Sequence, residues 1–231
     1  MPRNARILLP DMFAHLTQRG NQRSQMFFSD ADYTAHLRLW REIAGRYALS
    51  VIGYCLMPNH VHWIIWAHEP AAISRAFGLI SQRYSQYLNI RDGNTGHRWQ
   101  NRFFSCVLDD AHRFRTLRYV ERNPVRARLV EQAWDYPWSS AAVHCDANDP
   151  LGLLDIPRWQ EYWSADGWKE LLEETDIPGE VETIRLATYT GRPCGSPSFL
   201  AEIEEQTGRR LHPYSVGRPK QTKESASERK K

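Results

Sequence analysis

The sequence predicts an α+β fold, a four-stranded antiparallel sheet with helices on one face, from two patterns and their order. Short apolar stretches with strand character cover residues 12–18, 51–56, 60–66 and 102–108. Apolar residues at helical spacing cover residues 33–47 and 73–87. The resulting order is strand, helix, strand, strand, helix, strand, which is the split βαβ arrangement of ferredoxin-like sandwiches.

Turn and capping residues set the limits of these elements. Asp30 is a good N-cap for the first helix, and the Asp-Gly-Asn turn at 92–94 ends the second. A Pro-Asn pair at 58–59 favours a tight turn between the second and third strands. After the fourth strand, an aspartate at position 109 or 110 can cap a third helix, which Pro124 ends. We expect the sheet face opposite the first two helices to be open.

Two histidines, His60 and His62, open the third predicted strand. Side chains alternate along a strand, so both imidazoles point to the same side of the sheet. They could lie on the open face of the sheet or in a cleft at its edge. Such a pair favours metal or phosphate chemistry, because imidazole is a common metal ligand. The alternative is that one histidine is a hydrogen-bonded core residue and the other a surface residue. Two imidazoles cannot complete a metal site, so a further ligand is expected elsewhere.

Charge is distributed unevenly along the chain. Residues 1–130 hold 18 Arg, no Lys and 9 acidic residues, a net charge of +9. Residues 131–208 have a net charge of −12, and residues 209–231 have a net charge of +6. Arginine suits phosphate contact because its planar guanidinium binds two phosphate oxygens at once. A GC-rich genome would also favour arginine over lysine.

Two basic stretches are candidates for nucleic-acid contact. The loop RGNQR at 19–23 can hold a phosphate or a base, or it can be a solvated turn. The stretch HRWQNRFF at 97–104 mixes arginine with aromatic residues, a combination that suits single-stranded nucleic acid. Its alternative is a strand edge with buried aromatic rings. The side chains expected to contact DNA are Arg19, Asn21, Arg23, Arg98, Trp99 and Arg102.

The third helix carries a second candidate site. Phe114, Leu117 and Val120 form its apolar stripe, while Tyr119 and Asn123, one turn apart, point together to a different side. A tyrosine in such a position is most often a surface residue. In a chain whose histidine pair lacks a third ligand, Tyr119 and Asn123 become candidate site residues.

Several classes of protein are not favoured. No apolar run approaches the roughly 18 residues of a membrane span, and the N-terminal apolar patch is too short for a signal peptide. The four cysteines are widely spaced, which predicts reduced, buried thiols and neither a disulfide framework nor a zinc ribbon. We therefore expect a cytoplasmic protein with no membrane partner and no small-molecule substrate.

Three separated motifs carry a family resemblance. They are YCLMPNHVHWII at 54–65, HRWQNRFF at 97–104 and LRYVERNPVRARLV at 117–130. Together they resemble the REP-associated tyrosine transposases, single-strand HUH transposases of the IS200-like family. The resemblance begins near HLTQRGNQR at 15–23 and continues through WDYPWSS at 134–140.

The resemblance implies a role for each candidate residue. His60 and His62 match the paired metal ligands, and Asn123 matches the third, amide-type ligand. Tyr119 matches the catalytic tyrosine. Arg118 and Arg122, within the same tyrosine motif, are assigned to DNA contact. The implied cofactor is Mg²⁺ or Mn²⁺.

The implied function is metal-dependent cleavage and transfer of single-stranded DNA beside hairpins such as repeated extragenic palindromes. Tyr119 would form a 5′-phosphotyrosine and release a 3′ hydroxyl. The implied protein is bacterial, nucleoid-associated, and either a monomer or a homodimer. We expect a nuclease domain at 1–140, an acidic, Trp-rich extension at 141–208, and a basic, disordered tail at 209–231.

Alternative readings remain for the function and for the extension. The chain could be a related HUH replication initiator or relaxase-type nickase, or a domesticated hairpin-binding protein that no longer cleaves DNA. Intact His60, His62, Tyr119 and Asn123 disfavour the non-cleaving reading, because binding alone does not require that set. The tryptophans of the extension would anchor helices on the core, or the acidic segment would cover the basic face and compete with DNA.

Overall fold

A four-stranded antiparallel sheet forms the centre of the protein in a computed structural model that describes residues 6–211. Its strands, joined in the order β2-β3-β1-β4, are β1 (Met12–Arg19), β2 (Ser50–Met57), β3 (His60–Ala67) and β4 (Phe104–Leu108). The predicted α+β class and the alternation of strands and helices are confirmed. Most of the predicted basic tail, including the Gly-Arg-Pro-Lys motif at 217–220, lies outside the described residues.

The helices follow the predicted order, and further helices occur in the C-terminal third. They are α1 (Asp30–Arg46), α2 (Pro70–Asp92), α3 (Asp110–Glu121), α4 (Asn123–Arg126), α5 (Ala141–His144), α6 (Ile156–Gln160), α7 (Ala165–Glu173), α8 (Glu180–Thr190) and α9 (Pro197–Thr207). No helix within residues 6–211 is long and apolar enough to cross a membrane.

Capping explains where the main helices begin and end. Helix α1 takes Ser29 as its N-cap, one residue before the predicted Asp30, and the Asp32 carboxylate accepts from the Ser29 N–H at 3.1 Å. Helix α2 has Pro70 in its first turn and ends at Asp92; its C-cap is Gly93, whose φ of 61° is the left-handed conformation that glycine adopts easily. The limits read from the sequence are therefore correct to within a few residues.

One face of the sheet packs on α1 and α2. Side chains alternate along β3, so that Val61, Trp63 and Ile65 enter this first core. Trp63 stacks on Trp40 of α1 with ring centroids 3.9 Å apart, and both side chains are almost fully buried. Stacked aromatic pairs stabilise a core by about 0.5–1.5 kcal/mol beyond the area they bury.

The opposite face of the sheet, expected to be open, is covered. Ile64 of β3 packs there with Leu117 and Val120 of α3 in a second core. Trp159 and Trp168 of the C-terminal extension are buried in the same core. The prediction that tryptophans anchor the extension is therefore confirmed, while the division between residues 1–140 and 141–208 stays a prediction.

Candidate active site

The two histidines at the start of β3, called the histidine pair below, lie side by side on the face that α3 covers. Strand pairing places Arg19 and Thr17 of β1 opposite His60 and His62. The imidazole centroids lie 5.0 Å apart, with the ring planes at 80°. His62 is buried and His60 is half-buried. Alternation along β3 thus produces the predicted pair of neighbouring imidazoles.

In both rings of the histidine pair, Nδ1 is occupied by a hydrogen bond. Nδ1 of His60 donates to the side-chain oxygen of Asn59 at 2.6 Å. Nδ1 of His62 lies 2.8 Å from Nε2 of His15 in β1. A neutral imidazole has one N–H and one lone pair, so an Nδ1–H donor leaves the lone pair on Nε2.

A chain of hydrogen bonds from α8 sets the tautomer of His62. The Thr188 hydroxyl donates to the Ile184 carbonyl at 2.7 Å, so it accepts from Nδ1 of His15 at 2.9 Å. Neutral His15 then has its lone pair on Nε2, which accepts from Nδ1 of His62. The lone pair of His62 is therefore on Nε2, where it can bind a metal ion.

Burial keeps these imidazoles neutral. Burial lowers the pKa of His15 to about 3, and burial together with the charge of Arg19 lowers the pKa of His60 to about 3. The pKa of His62 lies well below its ordinary value, first because of burial and then because of neighbouring His60. Neutral imidazole is the form that binds metal ions, so the histidine pair can serve as ligands at neutral pH.

Tyr119 and Asn123 reach the same place from the end of α3 and the start of α4. Pro124 lacks a backbone N–H, and the helix is interrupted just before Asn123. The Tyr119 ring centroid lies 5.8 Å from that of His62 and 6.1 Å from that of His15. The Asn123 amide nitrogen is buried and has no hydrogen-bond partner among the described residues. Residues one turn apart thus face the histidine pair together.

Arg126 of α4 packs against the ring of Tyr119. Its guanidinium carbon lies 4.3 Å from the ring centroid, and the guanidinium also donates to the Tyr119 backbone carbonyl. Asp176 of the extension accepts from Arg126 at 3.4 Å. This arrangement holds the ring in place and puts a positive charge over its face.

One cleft of about 590 Å³ is lined by the histidine pair, His15, Tyr119 and Asn123. Arg19 and Arg185 add positive charge, and its described lining contains no acidic residue. Within residues 6–211, no group of three or more His, Cys, Asp and Glu side chains could hold a metal ion. A metal site here would therefore depend on the Asn123 amide as well as on the histidine pair.

The predicted DNA contacts at 19–23 are exposed to solvent. Arg19 lies at the rim of the cleft, while Asn21 and Arg23 occupy a short turn beyond β1. Backbone hydrogen bonds join this turn to the second basic stretch, from Asn21 to the Arg98 carbonyl at 2.8 Å and from Gln100 to the Arg19 carbonyl at 2.9 Å. The two stretches, distant in sequence, thus form one continuous surface beside the cleft.

Residues of the second stretch have different environments. Arg102 is exposed, but Arg98 pairs with Asp92 at 2.9 Å. Trp99 is only 8% exposed, and its indole nitrogen donates to the Ser81 carbonyl at 3.2 Å. Trp99 is therefore a core anchor in this structure and offers little surface for base stacking, which differs from its predicted role.

Arg118 and Arg122 also differ from their predicted role in DNA contact. They are 5% and 9% exposed. Arg118 donates to the Leu171 carbonyl at 2.7 Å, and Arg122 donates to the Asp176 carboxylate at 3.0 Å. The extension folds over α3 and accepts hydrogen bonds from both guanidinium groups. A motif in the sequence does not show which distant segment will contact it.

Sequence reasoning missed three residues around the site, namely His15, Thr188 and Arg126. His15 belongs to the HLTQ segment and lies on the same strand face as Thr17. Its contact with His62 depends on the register of the two strands, which the sequence does not show. Thr188 lies 173 positions from His15, so no local pattern connects them. Arg126 falls seven residues, about two helical turns, beyond Tyr119, and that spacing was the one available signal.

The fold and the site together define an α+β protein with paired imidazoles, an amide and a tyrosine around a basic cleft. Residues 9–123 match the family model described as transposase, IS200-like. No curated protein sequence matches the chain significantly. A solved REP-associated tyrosine transposase bound to a REP hairpin is 19% identical, with a TM-score of 0.56 over 77% of this chain and 96% of the other.

A second solved structure, a candidate transposase from Deinococcus radiodurans R1, is 18% identical. It covers 52% of this chain and 97% of the other, with a TM-score of 0.37. The chain belongs to the IS200-like transposase family through residues 9–123. Its fold is similar to that of the REP-associated tyrosine transposase.

Proposed function

We propose that the protein is a metal-dependent single-stranded DNA endonuclease and strand transferase that cuts beside DNA hairpins and acts in transposition. The convergence of Tyr119, Asn123 and the histidine pair on one cleft carries this proposal. All of these residues lie within the segment that matches the transposase family. Tyrosine supplies a nucleophile, and the other side chains supply metal ligands.

The donor set around the cleft fits a divalent cation. The histidine pair offers two Nε2 lone pairs, and the Asn123 amide has a buried nitrogen without a partner among the described residues. A flip of this amide would exchange its nitrogen for an oxygen donor. When bound, Mg²⁺ or Mn²⁺ would polarise the scissile phosphate and hold it in the cleft.

Tyr119 would carry out the strand exchange. Its phenolic oxygen attacks phosphorus, a new oxygen–phosphorus bond forms, and the bond to the 3′ oxygen breaks. The phenolic proton passes to solvent, and the departing 3′ oxygen takes up a proton. The tyrosine keeps the 5′ phosphate end. Because one phosphodiester is exchanged for another, the 3′ hydroxyl can reverse the step and rejoin the strand.

A hairpin in single-stranded DNA is the proposed substrate. The REP-associated tyrosine transposase with the same fold is bound to a REP hairpin. In the present protein, Arg19 at the cleft and Arg23 and Arg102 nearby are exposed. Exposed arginines bind phosphates in any sequence, so the affinity for DNA should fall steeply as salt concentration rises.

A denaturing gel tests this function. Purified protein is incubated with Mn²⁺ and a single-stranded hairpin labelled at its 3′ end, since the tyrosine would retain the 3′-side fragment. We expect a protein–DNA adduct that survives denaturant, is abolished by EDTA and is absent from Tyr119→Phe. Tyr162→Phe is a matched control, because Tyr162 is exposed and lies outside the cleft.

The outcomes separate the alternatives. An adduct that persists in Tyr119→Phe would refute the assigned nucleophile. Hairpin binding that needs no metal and leads to no cleavage would instead favour the non-cleaving DNA-binding protein.

A further inference from the structure

Two exposed aromatic rings stack on each other at the rim of the cleft. Phe104 begins β4, and Tyr189 lies near the end of α8. Their ring centroids are 5.6 Å apart with planes at 25°, and the residues are 36% and 75% exposed. Neither ring belongs to either apolar core of the described residues. Core packing therefore does not account for this pair, called the aromatic pair below.

The aromatic pair stands close to the histidine pair. Strand pairing aligns His62, Thr17 and Phe104 in one row across β3, β1 and β4. Residues directly opposite one another in a sheet point to the same face, and neighbouring strands lie about 4.8 Å apart. Phe104 is thus about 10 Å from His62 on the same face. A nucleotide adjoining the scissile phosphate could span this distance.

The aromatic pair also separates the cleft from a second, basic cleft. Both rings line the first cleft and the second one, which has a volume of about 440 Å³. The arginines that line the second cleft are Arg6, Arg102, Arg192, Arg209 and Arg210. Its described lining includes no acidic side chain. Among these arginines, Arg6, Arg102 and Arg192 offer guanidinium groups to an anion.

Local electrostatics agree with an anion-binding role. Burial first, and then the like charge of Arg102, lower the pKa of Arg6 to about 10. Within residues 6–211, neither Arg6, Arg102 nor Arg192 forms an ion pair with a carboxylate. The Arg6 guanidinium is held over the Phe103 ring, 3.7 Å from its centroid. A phosphate would relieve this concentration of positive charge.

We propose that the aromatic pair is a stacking platform for an unpaired base that flanks the hairpin, and that the second cleft binds the backbone phosphates of this flank. The inference rests on the proposed function, which it extends by locating the single-stranded part of the substrate. Aromatic faces beside arginines are the usual combination for binding single strands without strict sequence preference. Duplex bases are already stacked within the helix, so the platform selects unpaired DNA.

Binding measurements with two kinds of hairpin test the platform. One hairpin has no flank, and the others carry unpaired nucleotides on the 5′ or the 3′ side, with 2-aminopurine next to the stem. We expect the protein to bind a flanked hairpin more tightly and to quench the 2-aminopurine fluorescence. Tyr189→Ala should lower the affinity for that flanked hairpin by roughly 5- to 150-fold, the effect of losing one stacked base.

Matched variants make the result specific. Tyr189→Ala should lower the affinity for the bare hairpin by much less than the affinity for the flanked hairpin, and Tyr189→Phe should keep the advantage of the flank. Tyr162→Ala is the control, because Tyr162 is 47% exposed and packs on Phe114 outside both clefts.

Two results would overturn the inference. If the flank advantage is unchanged in Tyr189→Ala while both hairpins bind, the platform is wrong and the proposed function stands. If the unmodified protein binds none of these DNAs, the proposed function fails and the platform fails with it.

Discussion

A single residue, His15, connects the histidine pair to the C-terminal extension. It accepts from His62 and donates to the Thr188 hydroxyl of α8. A metal-binding histidine needs a partner on its other ring nitrogen, which fixes the tautomer and the orientation of the ring. His15 would thus be a positioning residue, with no contact to the metal itself.

Replacing His15 should weaken metal binding in the DNA-free protein. His15→Phe removes the acceptor for Nδ1 of His62, so His62 can rotate or bind in the wrong tautomer. Loss of such a partner typically costs 10- to 100-fold in metal affinity, and we expect a loss of roughly this size in an Mn²⁺ titration followed by electron paramagnetic resonance. His68→Ala is the control, since its imidazole is 84% exposed beyond the far end of β3. Equal Mn²⁺ affinity in His15→Phe and the unmodified protein would refute the role of His15.

Among the secondary-structure elements, helix α3 is held in position by one buried carboxylate. Glu121 is fully buried and accepts from the Ser140 hydroxyl, from Nδ1 of His144 at 2.6 Å and from the Trp168 indole at 2.8 Å. The Ser140 hydroxyl also accepts from the Tyr54 N–H of β2 at 2.9 Å. One side chain therefore joins the tyrosine helix, the sheet and the extension.

Removing this carboxylate should destabilise the whole protein. Glu121→Ala leaves three buried donors without their acceptor, and each such loss costs about 1–3 kcal/mol. Guanidinium denaturation should show this decrease in the free energy of unfolding. Asp110→Ala is the matched control, because Asp110 is on the same helix with a side chain that is 93% exposed, and its surface ion pair contributes at most about 1 kcal/mol. A loss for Glu121→Ala no larger than that of the control would contradict the proposed role of Glu121.

Much of the whole fold could be predicted from short-range pattern. The alternation at His60 to Ile65, the Pro-Asn turn and the helical stripes of α1 and α2 are set by neighbouring residues, and the structure has them where expected. The cover over the second sheet face could not be predicted, because it depends on helices far along the chain. Trp99 shows the same limit, since an aromatic residue beside arginines has the same local pattern whether it is buried or exposed.

Part of the candidate site could likewise be predicted from local spacing, and part could not. The i, i+4 spacing of Tyr119 and Asn123, and the i, i+2 spacing of the histidine pair, are local and could be read from the sequence. Their meeting in one cleft needs the register of β1 with β3, which local pattern does not supply. The partners of Arg118 and Arg122 lie more than fifty positions away in the extension, so their burial was not predictable.

The stability of the whole molecule should fall in mild acid. His36 lies in the first core among the rings of Phe27, Tyr84 and Trp63, and burial lowers its pKa to about 3. Below about pH 6.5, unfolded His36 gains a proton that folded His36 does not take up until about pH 3. Stability is therefore lost as pH falls through this window, by about 1.4 kcal/mol per pH unit for this residue.

Denaturation at several pH values checks this contribution. In His36→Leu, the slope of unfolding free energy between about pH 6 and pH 4 should decrease by about 1.4 kcal/mol per pH unit, the effect of one proton. His97→Leu provides the control, because it removes an imidazole from an exposed position instead of from the core. An unchanged slope in His36→Leu would mean that His36 is protonated in the folded state.

Mapping the residue that retains DNA after cleavage tests the role of Tyr119 most directly. The protein is incubated with Mn²⁺ and a hairpin substrate, digested with nuclease and then with trypsin, and analysed by mass spectrometry. We expect a nucleotide joined through its 5′ phosphate to the tryptic peptide Tyr-Val-Glu-Arg, residues 119–122, which contains a single tyrosine. A nucleotide on any other residue, or cleaved DNA with no nucleotide on the protein, would contradict the assignment.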